Sequence, residues 1–412
     1  LHKKNIVIPQ KQKKEKPEKF EGAYVKDPIV GLHKWVMSFD LNSLYPHLIM
    51  QYNISPETLV ADKAVKNMSV EKMLNKEVDT SILKDATMTP NGALFKITQK
   101  GFLPELMQKM YDDRVKFKQL MLEAQKDYEK TKDPKLLRDI SKFNNIQMAK
   151  KISLNSAYGA IGNVWFRYYN ILVAEAITTS GQLAIRFIEH SLNKYLNKIL
   201  NTRGEDYIIA SDTDSVYITL DKLVSKVFVS DTDNKKIVEF LDTVAKEKIE
   251  PFIDKSYQEL ADYVNAYEQK MQMKREVIAD KGIWVAKKRY ILNAHDVEGV
   301  RYKEPKLKIM GVEAVKSSTP AACREKIKEA LTIIMNEDDK VLNTFIQDFR
   351  TEFMNLKPEL IAYPRSVNGL TKWTESHNLF KKGAPIHCKG AILYNHLLKE
   401  KKLQGKYPYI QE

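Results

Sequence analysis

The sequence predicts an α+β fold: antiparallel strands with long helices packed beside them. Two long segments, 104 to 129 and 136 to 158, keep apolar residues at helical spacing and are parted by Asp133 and Pro134, which reads as an antiparallel helical hairpin. The runs YIIA and VYITL flank SDTDS, a β-hairpin with acids at its tip. A third run, Trp35 to Asp40, is apolar enough for a buried strand and sets an aspartate at its carboxyl end.

Length and composition bound the rest. With 412 residues and 43% hydrophobic content the chain can bury a real core, in two or three folding units. Sixty-seven Lys and Arg against 53 Asp and Glu leave a net charge of +14, the sign expected of a protein that holds a polyanion such as nucleic acid. Charge alone does not separate that from a soluble protein with a basic surface. Two cysteines, Cys323 and Cys388, are too few for a disulfide framework or a Cys-rich zinc site and suit a reducing compartment. No run approaches the roughly 18 consecutive apolar residues of a membrane span, and no apolar signal core follows the basic start. The expectation is a soluble, cytoplasmic protein without a membrane partner, in a host's cytoplasm if it is viral. A start at Leu1 and an end at GKYPYIQE suggest a piece of a longer chain.

Along the chain, residues 1 to 19 carry seven lysines, two acids and few large apolar groups, a basic linker or arm. Structure is expected from Phe20. After Asp40, Asn42, Ser43 and Pro46 turn the chain into the helix-like HLIMQYN. A helix, AEAITTSGQLAIRFIEHSLNKYL, precedes the acidic hairpin. Residues 234 to 270 read as helical, 284 to 293 (WVAKKRYILN) and 300 to 309 as strands, and 320 to 356 as two amphipathic helices parted near Asn336 to Asp339. No heptad or solenoid period appears.

Phosphoryl transfer by two metal ions needs at least two carboxylates, with the ions about 3.5–4 Å apart. Asp40, Asp212 and Asp214 are the candidates. In an extended hairpin Asp212 and Asp214 share a face while Thr213 points away, so all three acids converge if that hairpin pairs beside the strand ending at Asp40. The letters S-D-T-D recur at 230 to 233, but there NKKIVEFLDTV follows with helical spacing. In that second copy Asp233 or Asn234 reads as a helix N-cap.

At these residues the chain resembles the polymerase region of family B DNA polymerases, in particular the branch typified by T-even bacteriophages. The resemblance runs from about Phe20 onward. Its signatures occur in order: DLNSLYP at 40 to 46, KISLNSAYG at 151 to 159 and DTDS at 212 to 215. EGAYV, NISPET, AKKRYILN, EPKLKIMG and KSSTP add support. One departure is His47, where the family usually has serine; it is expected to face the helix start without loss of chemistry. The resemblance implies a right hand: an antiparallel palm with packed helices, helical-hairpin fingers and a partial, mostly helical thumb. After the arm at 1–19, the implied divisions are palm 20–103, fingers 104–160, palm again 161–315 and partial thumb 316–412.

Asp40 and Asp214 are thereby implied to bind two Mg²⁺ ions, with the backbone carbonyl of Leu41 completing one shell and Asp212 assisting. Arg114 with Lys118, and Lys151 with Asn155, fall four apart and so on one helix face each. Lysines at this spacing by themselves read as a solvated face; the resemblance makes them the triphosphate contacts, with Lys151 protonating the leaving pyrophosphate. Tyr45 is implied to stack on the incoming sugar and exclude a 2′-hydroxyl. Ser43 and Leu44 would offer backbone N–H groups to phosphate, and Tyr158 and Gly159 would lie beneath the nascent pair. Lys287, Lys288, Arg289 and Tyr290 resemble the motif touching the primer duplex, and on a strand Lys288 and Tyr290 would share a face. Glu276 is expected as a further carboxylate near the metals.

The implied activity is template-directed addition of deoxynucleotides (dNTPs) to a primer 3′-hydroxyl, with primer–template DNA as partner. Neither the amino-terminal exonuclease normal for this branch nor a fuller thumb is evident, so the chain reads as the polymerase portion alone. A split polymerase would need a separate exonuclease-bearing chain, and a sliding clamp is a further partner. The rivals are a catalytically inactive or partner-dependent DNA-binding fragment, and a two-metal nuclease. A nuclease has no need of a triphosphate-binding hairpin or a sugar-excluding tyrosine.

Overall fold

The computed structural model describes residues 6–10, 20–61, 64–229, 232–403, 405, 408 and 410. Most of the expected basic arm, 1–5 and 11–19, lies outside the described residues. The chain divides into two compact units, Leu1–Lys308 and Ile309–Glu412.

The first unit is built on β1 (Gly31–Leu41), whose residues from Trp35 to Phe39 are all buried. That continuous apolar run is explained by position, because β1 is paired on both edges. Period-two alternation sends Met37, Phe39 and Leu41 into the main core and Val36, Ser38 and Asp40 to the opposite face of the sheet. After β1 come α1 (Leu44–Gln51), α2 (Val70–Leu74) and a small hairpin of β2 (Ala86–Met88) and β3 (Leu94–Lys96).

Two long helices follow, α3 (Phe102–Thr131) and α4 (Pro134–Ile161). Asp133 caps α4 by accepting the Lys135 N–H, and Pro134 occupies the first helical position, where its missing N–H costs nothing. The contacts Asp113–Lys150 and Phe117–Phe143 pair earlier residues of α3 with later ones of α4, so the helices run antiparallel. The NISPET stretch roots them. Asn53 accepts the Gly101 N–H at 2.8 Å, Glu57 the Phe102 N–H at 2.5 Å and Ser55 the Leu103 N–H at 3.3 Å, satisfying donors that a helix start leaves open. Gly101 permits this approach, since a Cβ there would stand 2.6 Å from that of Ser55.

Helix α5 (Ile171–Ile199) is long and apolar enough to cross a membrane by composition, yet most of its apolar stretch is buried in the protein's own core. It leads to β4 (Ile208–Asp212) and β5 (Ser215–Thr219), then α6 (Asp221–Val227) and α7 (Asn234–Val244). Asp233 accepts the Lys235 N–H and caps α7, as the second S-D-T-D copy predicts. A π-helical turn at Ala245–Ile249 links α7 to α8 (Glu250–Tyr263), which ends short of the expected 270.

The sheet is completed by β6 (Met273–Ala286), β7 (Arg289–Val297) and β8 (Val300–Met310), in the order β4-β5-β1-β6-β7-β8. Every strand pair from β4 to β7 is antiparallel, and α5 and α8 pack on the sheet, giving the α+β class. The expected single strand at 284 to 293 is a hairpin. Ala286 pairs with Arg289, and Lys288 takes a left-handed φ of 61° at the turn.

The second unit carries α9 (Ala321–Asn336) and α10 (Asp339–Asn355), parted where the sequence predicts, with Asp338 capping α10 through the Lys340 and Val341 N–H groups. Then come α11 (Pro358–Ile361), α12 (Leu370–Trp373), β9 (Thr374–Glu375), β10 (Leu379–Phe380) and α13 (Ile386–Glu400). Leu370, Cys388, Ala391 and Ile392 form a small core there.

Candidate active site

The end of β1 and the tip of the β4–β5 hairpin meet. Asp40 pairs in register with Ser215, and the Leu41 N–H donates to the Asp214 carbonyl at 2.8 Å. Asp40 and Asp214 both line a cavity of about 400 Å³, together with Leu41, Ser43, Leu44, Tyr45, Arg114, Lys118, Lys151 and Asn155. Residues from β1, α1, the hairpin tip, α3 and α4 thus share one space.

The hairpin does not present its acids as alternation predicts. Strand pairing stops at Asp212 and Ser215, leaving Thr213 and Asp214 as a two-residue turn. Thr213 is left-handed, with φ 58°, and its N–H is held by the Tyr24 carbonyl at 3.0 Å. The turn carries Thr213 and Asp214 to the cavity, while Asp212 pairs with Lys288 at 2.9 Å. Of the three predicted aspartates, Asp40 and Asp214 therefore line the cavity and Asp212 does not. Among the described residues, no group of three or more His, Cys, Asp or Glu side chains is arranged to hold a metal.

The electrostatics match. Burial, then the carboxylates of Asp214 and Glu276, push Asp40 up to about 7. Burial and the neighbouring Asp212 and Glu276 push Asp214 up to about 6, against an opposing backbone hydrogen bond. Glu276 itself accepts from Ser38 at 3.3 Å and pairs with Lys308 at 2.6 Å. Glu298 also lines the cavity and was not foreseen. It sits in a Glu298–Gly299 turn with φ 50° and 83°, and a Glu-Gly pair between two strand-like runs was its only sequence signal.

Cations line the same cavity. Arg114 and Lys118 lie one turn apart on α3, Lys151 and Asn155 one turn apart on α4. Arg114 donates to the Ser43 hydroxyl at 3.3 Å, while its Nε–H is buried without a partner among the described residues. An unpaired buried guanidinium donor facing a polar cavity is a place for an anion.

Ser43 begins α1 in a left-handed conformation, φ 48°, with no side chain capping the helix. Buried His47 holds this turn: its Nδ1–H donates to the Ser43 carbonyl at 3.0 Å, and its ring sits on Tyr111 at 4.5 Å. Burial lowers its pKa, and the hydrogen bond to Ser43 gives it a structural role at the helix start. Tyr45 packs its ring on Tyr158 at 4.8 Å, and burial, then Tyr158 and Asp214, push its hydroxyl up to about 12.

Of the predicted duplex contacts, Gly159 is exposed on α4. Lys287 lies in the β6–β7 turn, pairing with Asp27 at 3.1 Å, and Lys288 is engaged by Asp212. Arg289 is half-buried. Tyr290 is 7% exposed, stacked on Trp284, its hydroxyl 2.7 Å from that of Tyr217. The turn, which breaks the alternation, separates Tyr290 from Lys288.

The sequence profile of DNA polymerase family B matches residues 1–389. The chain is 36% identical to the DNA-directed DNA polymerase of Escherichia phage RB69 over 97% of its own length and 49% of that relative. To the DNA-directed DNA polymerase of Enterobacteria phage T4 it is 34% identical, over 94% of this chain and 48% of the relative. DNA polymerase 1 of Pyrococcus abyssi is 28% identical over 79% of the chain. The chain spans about half the length of the two phage relatives.

Proposed function

The chain belongs to DNA polymerase family B, and from that premise we propose that it carries the polymerase activity: template-directed transfer of deoxynucleotides to a primer 3′-hydroxyl, with release of pyrophosphate. The observation that carries this reading is the shared cavity, lined both by Asp40 and Asp214 and by Arg114, Lys118, Lys151 and Asn155. In the right-hand description the six-stranded sheet with its helices is the palm (20–103 and 161–315), α3 and α4 are the fingers (104–160), and 316–412 is part of the thumb.

Family B polymerases use divalent metal ions, and the acids here suit them. Burial first, and then neighbouring carboxylates, raise Asp40 to about 7 and Asp214 to about 6, so these half-buried acids are short of positive charge. Asp40 and Asp214, with the Leu41 carbonyl, would hold two Mg²⁺ ions, which take their remaining ligands from water and substrate phosphates. Bound there, the ions supply Lewis acidity toward the primer hydroxyl and the leaving pyrophosphate.

The protein's own groups do the rest. Arg114 forks onto the triphosphate with its unpaired Nε–H, and Lys118 adds charge. Lys151 neutralises and protonates the departing pyrophosphate, with Asn155 one turn along. The uncapped start of α1 offers the Ser43 and Leu44 N–H groups to phosphate. Tyr45 closes the sugar side, and Tyr158 and Gly159 support the new base pair. Asp212 tethers Lys288, which together with Lys287 and Arg289 forms the basic turn nearest the primer duplex; Tyr290 braces that turn from within. A separate exonuclease-bearing chain and a sliding clamp are the further partners of this reading.

The test is primer extension by the full 412-residue chain with dNTPs and Mg²⁺. Extension that follows the template is expected. Binding of primer–template without extension, even with flanking segments restored, would favour the DNA-holding alternative.

A further inference from the structure

Behind the Tyr45 ring lies Gly181, buried in the middle of α5. Its backbone is helical, so no left-handed conformation demands glycine there, and glycine is a poor residue for a helix interior. The reason lies in what packs on it. A Cβ at Gly181 would stand 3.3 Å from Cε1 of Tyr45, 3.5 Å from Cδ2 of Leu44 and 3.5 Å from Cδ1 of Leu48. The two leucines are 4% and 0% exposed and locked in the core. Tyr45 alone of the three is half-buried; its ring and the locked Leu44 both border the cavity that holds Asp40 and Asp214. Gly181 does not line that cavity, so it acts on it through the side chains packed against it, and of these the half-buried Tyr45 ring is the one with room to move.

We propose that Gly181 is a specificity-determining positioning residue: the absence of its side chain sets how far the Tyr45 ring reaches toward the incoming sugar, and so how strictly a 2′-hydroxyl is excluded. The inference rests on the reading of Tyr45 as the sugar gate. Adding one methyl at Gly181 pushes the ring into the cavity by a few tenths of an ångström. A ribose, with one more oxygen at the gate, suffers more than a deoxyribose.

The experiment measures binding of a deoxynucleoside triphosphate and its ribose counterpart to the full chain on primer–template, with Mg²⁺ and a primer lacking its 3′-hydroxyl, so that no turnover is needed. Four proteins are compared: unaltered, Gly181→Ala, Tyr45→Ala and the double variant. Gly181→Ala is expected to weaken deoxynucleotide binding roughly threefold and ribonucleotide binding roughly tenfold or more, since sub-ångström displacements carry effects of this order. With Tyr45→Ala the added methyl should leave the ratio within about twofold, because the coupling passes through the ring. Equal weakening of both sugars, or an unchanged ratio while Tyr45→Ala narrows it, overturns the proposal and leaves the gate intact. A ratio that Tyr45→Ala does not narrow overturns the gate itself, and this inference with it. If Gly181→Ala does not fold, the same ratio is read in Gly181→Ala with Leu48→Val, where the trimmed leucine makes room and the ring contact stays.

Discussion

The backbone N–H of Leu41 donates to the carbonyl of Asp214 at 2.8 Å, tying the end of one strand to the tip of a hairpin from a distant part of the chain. Because the tie is backbone to backbone, the nearness of the Asp40 and Asp214 carboxylates does not depend on the charge of either. Charge can be removed with the geometry kept.

Asp214→Asn is therefore expected to lower primer extension on the order of 10³-fold or more, as a lost metal carboxylate should. Primer–template affinity should stay within a few fold, since that affinity comes from cations elsewhere. Single-turnover extension beside a DNA-binding titration separates the two; parallel loss of both would point to a folding defect.

The acid pair also makes the metal-free protein sensitive to pH. Folding raises Asp40 from 3.8 to about 7 and Asp214 from 3.8 to about 6, so the native state binds the extra protons. Their contribution to stability is complete below about pH 4 and is lost as pH rises through 6 and then 7. Thermal melts in chelator should show Tm falling between pH 5 and 8, less steeply for Asp40→Asn. Added Mg²⁺ should restore Tm mainly at the upper end, where the pair is ionised.

Tyr45→Ala removes the ring that packs against Tyr158. Ribonucleotide incorporation relative to deoxynucleotide should rise by about tenfold or more, the scale set by one group's worth of steric exclusion. Competition between the two triphosphates on one template reads this directly, and an unchanged ratio removes Tyr45 from the gate.

Two ion pairs near the site should differ in worth. Arg275 and Asp296 are 4% and 1% exposed at the side chain and bound to one another, and Asp242 joins Arg275 at 2.8 Å. Arg275→Ala leaves buried Asp296 with Arg301 as its remaining cation, at 2.6 Å, and should cost about 1.5–3 kcal/mol, the scale of a lost hydrogen bond to a charged group. Lys288 is 60% exposed in its pair with Asp212, so Lys288→Ala should cost at most about 1 kcal/mol. Denaturant unfolding of both variants checks the ordering.

What the sequence disclosed depended on whether the signal was local. The helical hairpin announced itself through Asp133 and Pro134, and Asp233 through the helical spacing that follows it. The meeting of β1 with the acidic hairpin was legible because both strands carry unbroken apolar runs. The turn at Lys287 and Lys288 was not, since neither residue is a turn former. Its left-handed Lys288 is held by the Asp212 pair and the β6–β7 ladder, against an intrinsic cost of about 1–2 kcal/mol. The left-handed Thr213 misled in the same way, by re-aiming Asp214 where alternation had grouped it with Asp212.

The strand β1 ends up flanked by strands that follow it much later in the chain. β1 has β5 on one edge and β6 on the other, so neither edge is covered until residues 215–219 and then 273–286 have been synthesised. The α3–α4 pair, whose contacts are local, can form long before that. A nascent chain halted between α4 and β5 therefore carries the cationic helices beside an acidic strand with both edges bare, and the acid pair is completed only when Asp214 has been made.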